Sequence, residues 1–187
     1  ALARAEFDDA GPAAGLTAVP PRADPFTWGI RPFASLTVFD AESPVQLSGG
    51  AELSAAWRIR PNLILSGAIR QRLLDAGTLT DEEPEPLGGV PVVRRNAGLY
   101  GQDGHPVLQT LTLAHYGRPG RDLYSRVTVG YLESMYGGVS GELLWAPVTS
   151  RLAVGVELNY AVQRDYDMLL GFRDYETITG QASLYYD

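Results

Sequence analysis

The sequence predicts an all-β fold of about eight antiparallel strands that run up and down, and three observations lead to this prediction. Apolar and polar residues alternate through one stretch of strand length after another. Segments rich in Gly, Pro, Asn and Asp separate these stretches. No amphipathic helix of convincing length lies between them. The favoured architecture is an antiparallel up-and-down outer-membrane β-barrel, either complete or part of a larger or tandem barrel.

The first predicted strands follow an irregular start. Residues 1–25 are rich in Ala, Pro and Gly, which predicts a lead-in or linker, and residues 26–187 are predicted to form the β-barrel segment. FTWGIRPFASLTVFD and LSGGAELSAAWRI are its first two strands, and the second carries Glu52 on its polar face. RPN then predicts a tight turn, after which LILSGAIRQ returns with Arg70 on its polar side.

A long loop is predicted at about residues 73–106, where the acidic, proline-containing run DEEPEPLGG argues against a central strand. Alternation resumes in VLQTLTLAHY, LYSRVTVGYL, VSGELLWA, RLAVGVELNYAV and TITGQASLYY. GRPGRD, ESMYGG and PVTS are the predicted turns between these strands, and QRDYDMLLGFRDYE is predicted to separate the last two.

Composition narrows the classes of protein to consider. The 187 residues carry a net charge of −7 and no basic stripe, which argues against nucleic acid as a partner. There is no cysteine, so disulfides and thiolate chemistry are excluded, and all 15 basic residues are arginine. No uncharged run reaches the roughly 18 residues that a membrane helix needs. The chain starts without Met or a signal peptide and stops within a strand-like pattern, so we expect a piece of a longer protein.

The stretch RLAVGVELNYAV raises the question of which face of the strands points inward. Val154, Val156 and Leu158 alternate with Glu157 and Asn159. In a soluble carbohydrate-binding or carbohydrate-cleaving β-sandwich, the valines would form the core and the polar face would meet water. In an outer-membrane barrel, the valines would face lipid and the glutamate a polar interior. The alternation alone leaves both architectures open.

Three features favour the barrel. Short connections between strands alternate with a second set of connections, two of which are long and charged. A barrel with short turns at one end and longer loops at the other would have this pattern. Aromatic residues lie near both strand ends: Trp57, Tyr116, Tyr124 and Trp145 beside the short turns, and Tyr131, Tyr136, Tyr160 and Tyr166 towards the other rim. The predicted interior set stands in mid-strand and consists of Glu52, Arg70, Arg126, Glu142, Glu157 and Asn159. The predicted lipid-facing set is Leu47, Leu53, Leu65, Leu111, Val127, Val129, Leu143, Val154, Val156 and Leu158.

Two groups of side chains could carry chemistry. Glu142 and Glu157 lie on facing strands, and two carboxylates across a cleft could serve a glycosidase. We favour instead ion pairs between these glutamates and interior arginines such as Arg126 and Arg70. The second group is a repeated triplet, Arg164-Asp165-Tyr166 and Arg173-Asp174-Tyr175, which either hydrogen-bonds a sugar chain or joins the two ends of one hairpin.

Neither a metal site nor a cofactor site is expected. Asp165 and Asp167 could donate oxygens to calcium, but the about six to eight ligands that calcium takes are not visible. His105 and His115 are the only histidines, and neither a metal site nor a catalytic triad can be built from them.

Residues 122–187 resemble the YjbH family of Gram-negative outer-membrane proteins, through YLESMYGGVSGELLW, LAVGVELNYAVQRDYD and FRDYETITGQASLYYD. WGIRPFASLTVFD, LSGAIRQRLL and LTLAHYGRPGRDLY fit the same family, so the resemblance begins at about Trp28. It implies an outer-membrane β-barrel associated with exopolysaccharide production and export. It also implies a longer protein that often looks like a lipoprotein and has more than one barrel-like region. The resemblance supplies no catalytic residues, so we expect a non-enzymatic protein.

The expected partners are outer-membrane lipid, exopolysaccharide and other export components. If the polymer touches this segment, we expect it to meet the polar face and the loop from Gln163 to Glu176. The predicted contact residues are Arg126, Glu142, Glu157, Asn159, Arg164, Asp165, Tyr166, Arg173, Asp174 and Tyr175. The excess of acidic residues predicts weak contacts that guide a polymer rather than hold it.

Overall fold

The computed structural model describes residues 24–38, 45–76, 93–94, 96–102 and 104–186. Only the last two residues of the predicted lead-in are among them, and residues 77–92 of the predicted long loop lie outside them. No described helix is long and apolar enough to cross a membrane, and the described helical structure is one 3-10 turn at Ala97–Leu99. The strands are β1 (Phe26–Val38), β2 (Val45–Arg60), β3 (Leu63–Ala76), β4 (Val107–Gly120), β5 (Leu123–Tyr131), β6 (Tyr136–Trp145), β7 (Leu152–Arg164) and β8 (Phe172–Tyr186).

Each strand pairs in antiparallel fashion with the next one along the chain, which gives a single sheet in the order β1 to β8. The prediction of an all-β, up-and-down arrangement of about eight strands is therefore confirmed. Within the described residues β1 and β8 are the two edges and do not pair with each other, so the sheet is open. A β-sandwich packs two sheets face to face, whereas the described strands form one sheet.

The strands extend further into three connections than the side-chain pattern predicted. The turn before β5 is reduced to Arg121 and Asp122, and Asp122 has a left-handed φ of 58°. β6 begins at Tyr136, inside the predicted turn ESMYGG. β7 continues to Arg164 and β8 begins at Phe172, so the predicted interruption shortens to the loop between them. Backbone pairing continues through these polar positions because ladder hydrogen bonds do not depend on alternation of side chains.

The register assigns the strand residues to two faces, because residues directly opposite each other in an antiparallel pair point to the same side. One face, called the polar face here, carries Glu52, Arg70, Arg126, Glu142, Glu157 and Asn159. The other, the apolar face, carries Leu47, Leu53, Leu65, Leu111, Val127, Val129, Leu143, Val154, Val156 and Leu158. The predicted separation of these two sets of residues is confirmed.

The buried core is small and lies at one end of the sheet. Tyr100, Val107, Met135, Tyr136 and Met168 pack together there, each at most 8% exposed. These residues come from the connections β3–β4, β5–β6 and β7–β8 and from the strand ends beside them, a region called the loop rim here. The opposite rim has the short turns β2–β3, β4–β5 and β6–β7.

The predicted aromatic bands are half right. Four of the eight residues lie on the apolar face, namely Trp57, Trp145, Tyr131 and Tyr160. The other four lie elsewhere, Tyr116 and Tyr124 on the polar face and Tyr136 and Tyr166 in or against the buried core. The prediction considered only the distance of each ring from a strand end, whereas alternation along the strand decides which face the ring occupies.

Candidate functional site

A carboxylate lies between two arginines on the polar face of β1 to β3. Glu52 stands directly opposite both Arg31 and Arg70, so the register alone brings the three side chains together. The Nε atoms of Arg31 and Arg70 donate to its two carboxylate oxygens at 2.9 and 3.1 Å, and Glu52 is only 2% exposed. Two guanidinium groups compensate the burial of one carboxylate and leave this Arg–Glu–Arg triad with a net positive charge.

A second set of polar side chains crosses β5 to β8. Arg126, Glu142, Glu157 and Gln181 are directly opposite one another on successive strands and are called the polar row here. Arg126 donates to Glu142. Glu157 accepts hydrogen bonds from the side-chain amides of Gln181, at 2.8 Å, and Asn159, at 2.9 Å. The polar row therefore has a net negative charge, opposite to that of the triad.

These contacts bear on the two interpretations of the glutamate pair. The predicted ion pair between Arg126 and Glu142 is present, whereas Arg70 pairs with Glu52. Glu157 takes its hydrogen bonds from neutral donors within the sheet. Both carboxylates therefore belong to a polar network that runs across four strands and stabilises the polar face.

An open hollow of about 480 Å³ lies over the polar side of β1 to β4. It exists because residues with small side chains or none lie there, among them Gly29, Ser54, Ser66 and Thr110, beside the Arg–Glu–Arg triad. Ser66 and Thr112 bridge β3 and β4 through their hydroxyl groups at 3.1 Å. The hollow offers hydroxyl groups and an arginine to a polar molecule, and it is open to solvent.

The two RDY triplets occupy different environments. Arg164 ends β7 and is fully buried, Asp165 and Tyr166 lie in the following loop, and Arg173, Asp174 and Tyr175 belong to β8. Asp174 is exposed, and Tyr175 packs against the buried core. The guanidinium of Arg173 lies 4.3 Å from the ring centroid of Tyr166, so the second triplet contacts the first.

Arg164 joins the start of β4 to the β5–β6 and β7–β8 connections. Its guanidinium lies 4.5 Å from the ring centroid of Tyr131. Because backbone carbonyls carry partial negative charge, several of them together stabilise a buried cation. The guanidinium donates, at 2.8 to 3.3 Å, to the carbonyl oxygens of Leu108, Gln109, Glu133, Met168 and Leu169. This arrangement is called the loop clasp here.

Aromatic and amide side chains complete the loop rim around the clasp. The hydroxyl of Tyr100 donates to the carbonyl oxygen of Arg164 at 3.0 Å, and its ring packs edge-on against Tyr166 with centroids 5.0 Å apart. The side-chain amide of Asn96 donates to the hydroxyl of Tyr166 at 3.1 Å. Burial raises the pKa of Tyr100 to about 12, so its hydroxyl keeps its proton to a higher pH than an exposed tyrosine does.

The residues considered as metal ligands have other contacts. Asp167 accepts a hydrogen bond from the backbone N–H of Leu169 at 2.8 Å, and the ring of His115 contacts the side-chain amide of Asn62 at 2.9 Å. The described part of the chain contains no group of three or more His, Cys, Asp or Glu residues placed to hold a metal ion.

The sequence reasoning missed two members of these sets and the clasp as a whole. Arg31 and Gln181 have the same position in the alternation as Glu52 and Glu157, so the pattern could have identified both. The clasp left no comparable signal, because the partners of Arg164 are backbone carbonyls that every residue type carries.

Comparisons with known proteins agree on one family. The YjbH family model, described as "Exopolysaccharide biosynthesis protein YbjH", matches residues 2–187. The chain is 34% identical over 165 residues to "Uncharacterized lipoprotein YjbH" of Escherichia coli (strain K12), a match that covers 86% of this chain. The match covers 24% of that relative, so the chain spans about a quarter of its length. No solved structure matches the chain. The chain belongs to the YjbH family.

Proposed function

We propose that this chain is a segment of a non-enzymatic β-barrel in the outer membrane of a Gram-negative bacterium, and that the barrel assists exopolysaccharide production or export. The family description names exopolysaccharide biosynthesis, and the name of the Escherichia coli relative describes a lipoprotein. The first name favours a role in making or exporting a polysaccharide, and the second favours a location at a membrane.

One observation carries this proposal: the apolar face of the sheet is exposed. Ile30, Val127, Val156, Leu158 and Ile178 lie within strands, yet each is 49 to 75% exposed. The described residues supply no second layer over this face. Soluble monomers rarely expose a continuous apolar patch larger than a few hundred Å². Lipid hydrocarbon would cover such a face without any further protein layer.

The polar face then becomes the interior surface of the barrel. An ion-pair triad around one buried carboxylate and a hydrogen-bonded row of charges suit a wet, polar interior better than a lipid-facing surface. The small side chains over β1 to β4 leave the hollow in which water or part of a sugar chain can sit.

Contact with the polymer is proposed at the polar row and at the exposed parts of the loop rim. Arginine and carboxylate groups hydrogen-bond sugar hydroxyls, and tyrosine rings stack on sugar faces. Arg164 has no exposed surface and is left out of this contact surface. The surface consists of Arg126, Glu142, Glu157, Asn159, Asp165, Tyr166, Arg173, Asp174 and Tyr175.

A non-enzymatic role is favoured by the use that the sheet makes of its carboxylates. Glu142 is held by Arg126, and Glu157 by neighbouring amides, so both serve the polar network. A glycosidase instead needs one carboxyl group that stays protonated and another that stays free to attack or to activate water.

The location is tested on the native protein in its host cell. We expect it in the outer-membrane fraction of a density gradient, extractable only with detergent, and with an SDS-gel mobility that changes on heating. A detergent-free, monodisperse monomer in the soluble fraction would contradict the proposal.

The role in export is tested in a strain that lacks the protein and receives it back as a variant. Arg173→Ala should lower secreted exopolysaccharide, because it removes a donor from the proposed contact surface. Arg118→Ala is the matched control, since Arg118 is an exposed arginine at the short-turn rim. Equal secretion by both variants, at equal amounts of protein in the membrane, would remove Arg173 from the contact surface.

A further inference from the structure

We infer that β1 and β8 pair with each other in the assembled protein, so that the eight strands of this chain close into a barrel of their own with Arg31 directly opposite Gln181. The inference rests on the proposed function and deepens it, because it names the two strand edges that form the barrel and their register.

The stagger of the sheet supports this pairing. The row of directly opposed residues that starts at Arg31 crosses β3 at Arg70. The polar row, followed from Gln181 to Tyr116, reaches Asn62, the residue just before β3, whose carbonyl accepts the backbone N–H of Tyr116. Arg70 and Asn62 are eight residues apart along the chain. An eight-stranded barrel whose strands tilt by about 36° has a stagger of about eight residues, so the difference between the two rows is one that a closed barrel of eight strands can have.

The same register aligns the ends of the two edge strands. Phe26, the first residue of β1, falls opposite Tyr186, the last residue of β8. Trp28 falls opposite Leu184, and both belong to the apolar face, where they are 66% and 71% exposed. Gly29 falls opposite Ser183 on the polar face. The pairing therefore matches strand ends, apolar residues and polar residues at once, whereas a slip of one residue would reverse the faces.

Charge complementarity gives an independent argument. The triad on β1 to β3 is net positive, the polar row on β5 to β8 is net negative, and closure brings the two together at the new strand pair. The side chain of Arg31 is 70% exposed in the open sheet. Closure places it beside Gln181, which already donates to Glu157. The guanidinium can then neutralise a carboxylate whose described hydrogen bonds come from uncharged groups.

Introduced cysteine pairs test the register, and the chain has no cysteine of its own to compete. Directly opposed residues have Cα atoms about 4.5 to 5.5 Å apart, within the range that a disulfide spans. The test pair is G29C/S183C, and a Cβ at Gly29 meets no atom within 4 Å. The matched control G29C/T177C keeps the same face but moves roughly 20 Å along β8. The positive control is G29C/S54C, because Gly29 and Ser54 are direct partners in the sheet.

The experiment uses the native protein, with any flanking cysteine replaced by serine, oxidised in outer membranes and analysed by mass spectrometry of linked peptides. We expect at least about tenfold more intramolecular product from G29C/S183C than from G29C/T177C, because a disulfide forms only within about 7 Å. A second pair in the same register, T27C/Y185C, serves if the first does not assemble.

Two results would overturn the inference. If both test pairs give no more product than G29C/T177C while G29C/S54C links efficiently, other strands cover these edges. If the product links two chains, a second copy covers them. Fractionation of the same samples separates this result from failure of the proposed function: unlinked protein in the outer membrane overturns closure alone, whereas soluble protein overturns the membrane role.

Discussion

Glu142 and Glu157 lie directly opposite each other on β6 and β7, but they are stabilised in different ways. Glu142 accepts a charged hydrogen bond from Arg126. Glu157 accepts neutral hydrogen bonds from Ser140, Asn159 and Gln181, of which the shortest is 2.8 Å. Two carboxylates facing each other across strands repel, so a single arginine is the counter-ion for a pair of negative charges.

The first prediction follows from this shared counter-ion. Arg126→Gln should lower the free energy of unfolding by about 0.5 to 1 kcal/mol, because it leaves two partly exposed carboxylates facing each other. Adding Glu142→Gln to that variant should restore part of the loss. Chemical unfolding of the two single variants and the double variant gives the coupling. Additive effects would show that Arg126 and Glu142 do not stabilise each other.

The second prediction distinguishes lipid from water at the apolar face. Val156→Arg should cost roughly 2 to 4 kcal/mol if this position faces the middle of a membrane. Asn159→Arg, on the polar face of the same strand, should change the free energy of unfolding only slightly. The measurement is the free energy of unfolding in lipid vesicles. Val156 is 49% exposed, so a loss below about 0.5 kcal/mol from Val156→Arg would indicate that this face meets water.

The third prediction concerns the loop clasp. Arg164→Met should lower the free energy of unfolding by roughly 3 kcal/mol or more, because it removes all the hydrogen bonds that the buried guanidinium donates to backbone carbonyls. Arg164→Lys should recover only part of this loss, since an ammonium group has three donors and no planar fork. Arg173→Met is the matched control from the second RDY triplet and should cost much less. Equal losses of unfolding free energy from the two Met variants would mean that the loop clasp stabilises the protein no more than the contact of Arg173 does.

The fourth prediction is a pH dependence of the loop rim. The pKa of Tyr100 is raised to about 12 in the folded protein, whereas an unfolded tyrosine ionises near pH 10. Between these values the unfolded chain loses a proton that the folded chain keeps, so stability falls as the pH rises through this window. Thermal unfolding should show a shallower fall between pH 10 and 12 for Tyr100→Phe than for the unaltered protein. Parallel curves would contradict this role of Tyr100.

Alternation was enough to predict the number of strands, their order and both faces. It placed Arg126 and Glu142 on the same polar face, because every second residue of a strand points to the same side. The lengths of the connections predicted a rim of longer loops, but alternation could not identify its packing, because the residues that pack on Met168 come from connections far apart in the chain. Contacts of that kind depend on how separate loops meet in space, and no local period encodes them.

The two RDY triplets meet, as the interpretation that they join the ends of one hairpin predicted, but their arginines differ. Arg164 is fully buried, while Arg173 is partly exposed over the ring of Tyr166. The difference arises because Arg164 ends β7 under the folded-over loops, whereas Arg173 lies near the start of β8. Position relative to the strand end therefore determined the environment of each arginine more than the neighbouring residues did.

The loop clasp also has a consequence for the order of assembly. Arg164 donates to carbonyls of Leu108, Glu133 and Leu169, which lie far apart in the chain, so we expect the clasp to form late in folding. Interactions made after the folding transition state slow unfolding and leave the folding rate nearly unchanged. Loss of Arg164 should therefore shorten the lifetime of the assembled protein while it still folds at a normal rate. On this expectation, Arg164 contributes to how long the assembled protein persists rather than to how fast it forms.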